Sequence, residues 1–145
     1  MSGFDLIGFH NLPVSAALCV SGKLEDRSMK YTPIKDEITF DDFSKIDIRV
    51  GLIEKVSEVA KSDKLMKLTV DFGDHKRSIL AGIKQERENP KEIEGKQALF
   101  VVNLPERKMA GEVSQCMLFD IGYEDKLQPC LACPETEMPN GARAG

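Results

Sequence analysis

The chain has no tryptophan, only two histidines, and aromatic side chains at 6% of its 145 positions. So few flat rings argue against base stacking on aromatic platforms as the main mode of any nucleic-acid contact. His10 and His75 leave little room for a Ser/His/Asp type of nucleophilic site, and no GxxxxGK phosphate-cradling loop is present. No apolar run approaches the ~20 residues needed to cross a bilayer. Leu12 to Val20 is a short apolar run, but Asp5 is the only charge before Lys23, so a signal peptide's basic region is missing. These gaps predict a cytoplasmic, non-catalytic protein with no membrane association.

Cysteine is also scarce: Cys19, Cys116, Cys130 and Cys133 do not make a secreted disulfide framework. Cys130-Leu-Ala-Cys133 has the spacing of half a zinc site, yet neither histidine lies at a matching spacing and Cys116 stands alone. Small buried thiols in a strand are the better reading, with no metal and no cofactor.

The length suits one domain with an appendage, and 41% apolar content is enough for a packed core. Net charge is −4, with an isoelectric point near 5.3. That total by itself argues against nucleic acid. The distribution does not. Lys61, Lys64, Lys67, Lys76, Arg77 and Lys84 face only Asp63, Asp71 and Asp74 in the same stretch, while acids dominate Glu86 to Glu94 and Asp120 to Glu137. A ligand responds to charge within a Debye length of ~8 Å, so a local basic patch is compatible with an acidic chain.

Residues 1–37 show no clear period and read as an N-terminal extension. Met29 is itself a plausible start, so residues 1–28 are expected to be loose or absent from the mature protein. Order begins near Ile38. Thr39 followed by Asp41 and Asp42 predicts a short helix over about 40–45, with Phe40 and Phe43 on one face. Ile46, Ile48, Val50 and Leu52 alternate with polar residues and glycine, predicting a strand. Leu52-Ile53 breaks the alternation beside Gly51, as a bulge or sharp bend does, and a polar turn is expected next.

Met66, Leu68, Val70 and Phe72 predict a second strand, and Gly73-Asp74 turn into a third over about Lys76 to Ala81. Glu86 to Gly95 reads as a loop with one helical turn. Ala98 to Leu104 is continuously apolar, fitting a strand buried on both faces. Met117 to Gly122 and Leu127 to Cys133 complete the set. This order fits an all-β, five-stranded Greek-key barrel of the oligonucleotide-binding (OB) type, with short helices and extra C-terminal strands, over residues 38–145. A β-sandwich is the rival.

If Met66, Leu68, Val70 and Phe72 face the core, Lys67 and Thr69 face outward. Arg49 takes the corresponding outer face of the first strand, Arg77 lies on the third, and Lys61 and Lys64 lie in the loop joining the first two. In such barrels the outer face of strands two and three and the first loop bind nucleic acid. A second cluster runs Asn103-Leu-Pro-Glu-Arg107-Lys108-Met109, then Gly111 and Ser114-Gln-Cys-Met117. Its amide, hydroxyl and cationic groups are those that bond phosphate and sugar, in a loop punctuated by Pro105 and Gly111.

Phe43-Ser-Lys-Ile-Asp47-Ile-Arg49-Val-Gly51, Ser62-Asp-Lys64-Leu65, Val70-Asp-Phe-Gly73, Asn103-Leu104, Arg107-Lys108-Met109, Ser114 and Met117 form an ordered set over three quarters of the chain. In this set the chain resembles the tRNA-binding domain at the C-terminus of many bacterial methionyl-tRNA synthetases. It is also similar to the free-standing tRNA-binding protein and the export-linked chaperone of the same family. The resemblance implies an OB barrel, usually dimeric, that recognises tRNA largely by shape, with Lys64, Asn103, Arg107, Lys108, Ser114 and Met117 at the binding surface. Met117 reads equally well as core. The family usually has glycine where this chain has Cys116; a positive φ there would cost Cys steric strain. The resemblance supplies no named counterpart for the first 37 residues.

The leading expectation is therefore a tRNA-binding module, acting alone or in trans as an appendage of a methionyl-tRNA synthetase catalytic chain. Its partners would be tRNA, a second copy of itself and that chain. One alternative is a chaperone-like peptide binder, which needs an exposed apolar groove. Another is a structural dimerisation domain with marginal RNA contact.

Overall fold

A computed structural model of the chain describes residues 31–145. The expectations for residues 1–28 lie outside the described residues. Residues 31–39 run without secondary structure and are exposed. Helix α1 (Phe40–Ser44) follows, capped as its sequence predicts: Thr39 Oγ1 accepts from Asp42 N at 3.1 Å, and Asp41 and Asp42 sit in the first turn. The Phe40 and Phe43 rings lie with centroids 6.2 Å apart. No residue of α1 is buried.

Strand β1 (Ile48–Glu58) is longer than its alternation suggested, because a bulge between Ile53 and Lys55 resets the phase. No polar turn follows Ile53; the strand continues for five more residues. Its first half pairs with β4 (Gln97–Val101) and its second half with β2 (Met66–Asp71). Gly51 sits where the strand bends over the core. A Cβ there would meet Val70 and, at 2.9 Å, Phe72 Cε1, so only glycine lets β1 approach this closely.

β2 alternates buried and half-buried residues as expected, and β3 (Lys76–Ala81) pairs along its whole length, from Asp71–Lys76 to Met66–Ala81. The expected helical turn is a single 3₁₀ turn at Pro90–Ile93, capped by Asn89, with Ile93 fully buried. Its neighbour Glu94 accepts from Val56 N at 2.8 Å.

The second half departs further from the sequence reading. β4 ends at Val101, and Leu104, read as buried strand, is 44% exposed. The expected loop at Arg107 is a β-hairpin, β5 (Arg107–Met109) and β6 (Glu112–Ser114). Ala110 and Gly111 at its turn both have positive φ, 50° and 81°, the signature of a type I′ turn. Met117 to Gly122 is split between β7 (Met117–Leu118) and β8 (Asp120–Ile121), and only Cys130–Leu131 (β9) of the last expected run is strand. β10 (Arg143–Ala144) pairs with the start of β1.

The main antiparallel sheet has the order β3-β2-β1-β4-β7, with β10 beside β1. It curls until its edges approach: Gln115 N donates to Ser78 O at 2.9 Å and Leu80 N to Ser114 Oγ at 3.0 Å. Ile53, Val56, Leu68, Val70, Ile79 and Phe100 fill the interior. The architecture is an OB-like, all-β half-barrel. Among the described residues no helix is long and apolar enough to cross a membrane.

Candidate nucleic-acid interface

The loop between β1 and β2 is held in one shape by its own backbone. Ser62 N donates to Val59 O, and Ser62 Oγ accepts from Lys64 N and Leu65 N at 3.1 and 3.0 Å. Lys84 N, just past β3, donates to Lys64 O at 3.2 Å. Lys61 and Lys64 are thus presented from a fixed loop, which lowers the ordering cost of any contact they make.

The β5–β6 hairpin meets this loop. A Cβ placed on Gly111 would lie 3.7 Å from Lys61 Cδ and 3.8 Å from its Nζ. Lys67 Nζ, rising from β2, bonds Glu112 Oε1 at 2.9 Å. The pairs Arg107–Ser114 and Met109–Glu112 share the hairpin face turned to the barrel, since Ser114 is buried against Leu80. Lys108 and Val113 take the opposite, exposed face.

The structure therefore brings Lys61 and Lys67 to the turn of the hairpin, whose two faces carry Arg107 and Lys108. Lys61, Lys64, Arg107 and Lys108 are exposed and make no ion pair with a described residue. The cationic surface is not continuous, however. Glu112 neutralises Lys67, and Glu58 takes Lys84 at 3.3 Å. Half-exposed pairs of this kind stabilise by only about 0.2–1 kcal/mol, so a phosphate can compete for either cation.

Three expected site residues do structural work elsewhere. Arg49 Nε and Nη2 bond both carboxylate oxygens of Asp47 at 3.0 and 3.1 Å, and Arg143 approaches the same carboxyl at 3.4 Å. Hydrogen bonding from Arg49 holds the Asp47 carboxyl below the ordinary carboxylate range. Arg49 is also separated from the Glu58 end of β1 by roughly 30 Å of strand at ~3.3 Å per residue. Arg77 Nη1 donates to Val102 O at 2.7 Å and Gln115 O at 3.4 Å, latching two connections onto β3. Asn103 accepts from Asp47 N at 2.9 Å and donates to Lys45 O at 2.5 Å, fastening α1 to the barrel.

Ser114 is 5% exposed; its hydroxyl accepts from Leu80 N and donates to Cys116 O at 3.1 Å. Met117 is 47% exposed, opposite Val101. Cys116 does not adopt positive φ, so the strain conceivable at that position is absent; Ala110 and Lys126 are the non-glycine residues with positive φ among those described. Burial pushes the Cys116 thiol up to about 11. Cys130 and Cys133 are both half-buried, and Cys133 lies past the end of β9. Among the described residues no group of three or more His, Cys, Asp or Glu is placed to hold a metal ion.

Sequence reasoning missed Lys55. It placed that residue in a turn, whereas β1 carries it, exposed, opposite Thr69 and in line with Lys67 on the outer face. The only signal was the bulge, whose length a sequence does not reveal.

Residues 48–143 match the family model described as "Putative tRNA binding domain". The chain is 40% identical over 119 residues to methionine–tRNA ligase of Parabacteroides distasonis, a match that covers 81% of this chain and 17% of that protein. Its fold matches a MetRS related protein from Pyrococcus horikoshii with a TM-score of 0.69 and 38% identity, over 77% of this chain and 100% of that one. It also matches the chaperone CsaA of Bacillus anthracis str. Ames, with a TM-score of 0.66 and 28% identity, over 76% and 100%. With its barrel, its loop–hairpin junction and this match over most of its length, the chain belongs to the tRNA-binding domain family.

Proposed function

We propose that the chain is a non-catalytic module that binds tRNA by phosphate and shape contacts, alone or in trans with a methionyl-tRNA synthetase catalytic chain. The observation that carries this reading is that Lys61 beside the hairpin turn, Lys64 in the same loop, and Arg107 and Lys108 on the hairpin are all exposed and without carboxylate partners among the described residues, in a chain whose net charge is −4. Lys67 joins them when a phosphate displaces Glu112, and Lys55 extends the surface along β1 and β2. Asn103, Ser114 and Arg77 act by fixing the surrounding backbone. Such a module adds affinity to an attached or associated enzyme by raising effective concentration.

A second copy of the chain is the proposed partner of α1. Phe40 is 80% exposed, and Phe43 and Ile46 are close to half exposed beside the end of β10. A helix that leaves Phe40 this exposed gains further stability when another surface covers its rings.

Titration with bulk tRNA and with double-stranded DNA of equal length, at two salt concentrations, tests the reading. Four to five phosphate contacts predict that affinity falls by roughly a hundredfold between about 50 and 200 mM salt. Equal affinity for both polymers, or indifference to salt, would remove it. Sedimentation of the free protein reads the dimer directly.

A further inference from the structure

Position 141 has to be glycine, and the residue before it is asparagine. Gly141 holds φ at 92°, and a Cβ there would run into Phe72 O. Asn140 is committed as well. Its Oδ1 accepts from Gln97 Nε2 at 2.8 Å, and its own carbonyl oxygen lies against Gly73, where a Cβ would come within 2.6 Å of it. The fold therefore calls for an Asn-Gly step here, the one such step in the chain. That step carries a chemical liability. Asparagine is a thermolabile residue, and a following glycine has no Cβ to shield the nitrogen that attacks it.

The reaction needs two groups to be free. The backbone nitrogen of Gly141 gives up its proton and attacks Asn140 Cγ. A C–N bond forms, the Cγ–Nδ2 bond breaks, and the side-chain nitrogen leaves as ammonia with that proton. Water then opens the succinimide ring, at the side-chain carbonyl to give aspartate or at the main-chain carbonyl to give isoaspartate. In the folded chain both groups are held. Gly141 N donates to Val50 O at 2.7 Å, and Val50 N donates to Ala142 O at 2.8 Å. Gln97 Nε2 fixes the Asn140 side chain and also donates to Met138 O at 2.6 Å, while Gln97 Oε1 accepts from Met138 N at 3.0 Å. The lock is a short one. β10 is two residues long and pairs with β1 alone, so it opens far more readily than the core strands.

We propose that Asn140–Gly141 is a deamidation site gated by β10 and the Gln97 side chain, closed while the strand lies on β1 and reactive when it lifts away. Isoaspartate routes the main chain through one additional carbon. The paired bonds between Val50 and residues 141 and 142 leave no room for it. Conversion therefore makes the opening permanent. β10 no longer pairs with Ile48 and Arg49, and Gly145 leaves the Phe43 ring of α1, where its Cβ would lie 3.5 Å from Cζ. This chemistry is independent of RNA binding.

Peptide mass mapping of the full chain during incubation at mildly alkaline pH, paired with amide hydrogen exchange, tests this. The native chain should lose the Asn140 amide roughly tenfold or more slowly than the chain unfolded in urea, with exchange at Gly141 N slowed in proportion. Gln97→Ala should speed the loss several-fold while the β2 amides stay as protected as in the native chain. The native chain supplies a second readout: loss at Asn140 should outrun the opening that β2 exchange reports. The isoaspartate product should show fast exchange at Val50 N, whose acceptor is gone. Equal rates in native and unfolded chains overturn the proposal, as does a rate unchanged by Gln97→Ala. Loss that only keeps pace with β2 exchange also overturns it, because the gate would then be the whole barrel and not β10.

Discussion

Lys67 on β2 is held 2.9 Å from Glu112 at the tip of the β5–β6 hairpin, so the strand's outward cation is occupied by a carboxylate from the element it faces. The pair has two consequences. It docks the hairpin over the barrel, and it removes one positive charge from the surface around Lys61 and Lys64. Replacing the carboxylate should therefore strengthen RNA binding. Glu112→Gln is expected to raise tRNA affinity several-fold and to steepen the dependence on salt by about one counterion. Filter binding at two salt concentrations reads both; an unchanged slope would mean that Lys67 stays away from phosphate.

Arg77 and Lys108 separate fold from binding. Arg77 bonds two backbone carbonyls from different connections, whereas Lys108 stands on the exposed hairpin face. Arg77→Ala should cost about 2–3 kcal/mol of stability by leaving these acceptors without their charged donor. Lys108→Ala should leave thermal stability unchanged while weakening tRNA binding several-fold for all sequences alike. Thermal melts paired with titrations of both variants check the division.

At the hairpin turn, Ala110 holds φ at 50°, a conformation that crowds its Cβ. Ala110→Gly should stabilise the protein by about 0.5–1 kcal/mol, raising Tm by about 2–5 °C. A fall in Tm would show that the strain is relieved elsewhere. The same substitution at a position of ordinary φ would destabilise, so its sign is diagnostic.

Cys116 links stability to alkaline pH. Its folded value, pushed up to about 11 by burial, lies above its ordinary value of 9.0. A group raised in this way contributes stability that is intact below pH 9 and is lost as pH climbs toward 11. The loss amounts to about 2–3 kcal/mol at most. Denaturant melts of the native chain and Cys116→Ala at pH 8 and pH 10.5 should converge in midpoint at the higher pH, and native Cys116 should resist alkylation at pH 8.

Local chemistry was enough to read several elements. Thr39 and the two aspartates that follow it announced α1, and the two-residue period of Met66 to Phe72 announced β2 with Lys67 and Thr69 outside. Both depend on neighbours a few positions away, which a sequence displays. The hairpin at Arg107–Ser114 was hidden because its turn places an alanine at positive φ, where glycine or asparagine would have signalled it. Lys55 was hidden because one bulged residue shifts the phase of everything after it.

The partners of Lys67 and Arg77 belong to tertiary structure. That Lys61 comes to lie beside the turn of the β5–β6 hairpin requires the sheet to curl until β6 reaches β3. That Lys67 is paired while Lys64 has no carboxylate partner among the described residues, and that Arg77 latches two connections onto β3, depends on carboxylates and carbonyls 25 to 45 positions away. Composition and periodicity determine which face of a strand carries charge, because alternation is a property of the local backbone. Whether that charge stays available to a ligand is decided by what the folded chain brings opposite it, since an ion pair forms over a few ångströms of space and is blind to distance along the sequence.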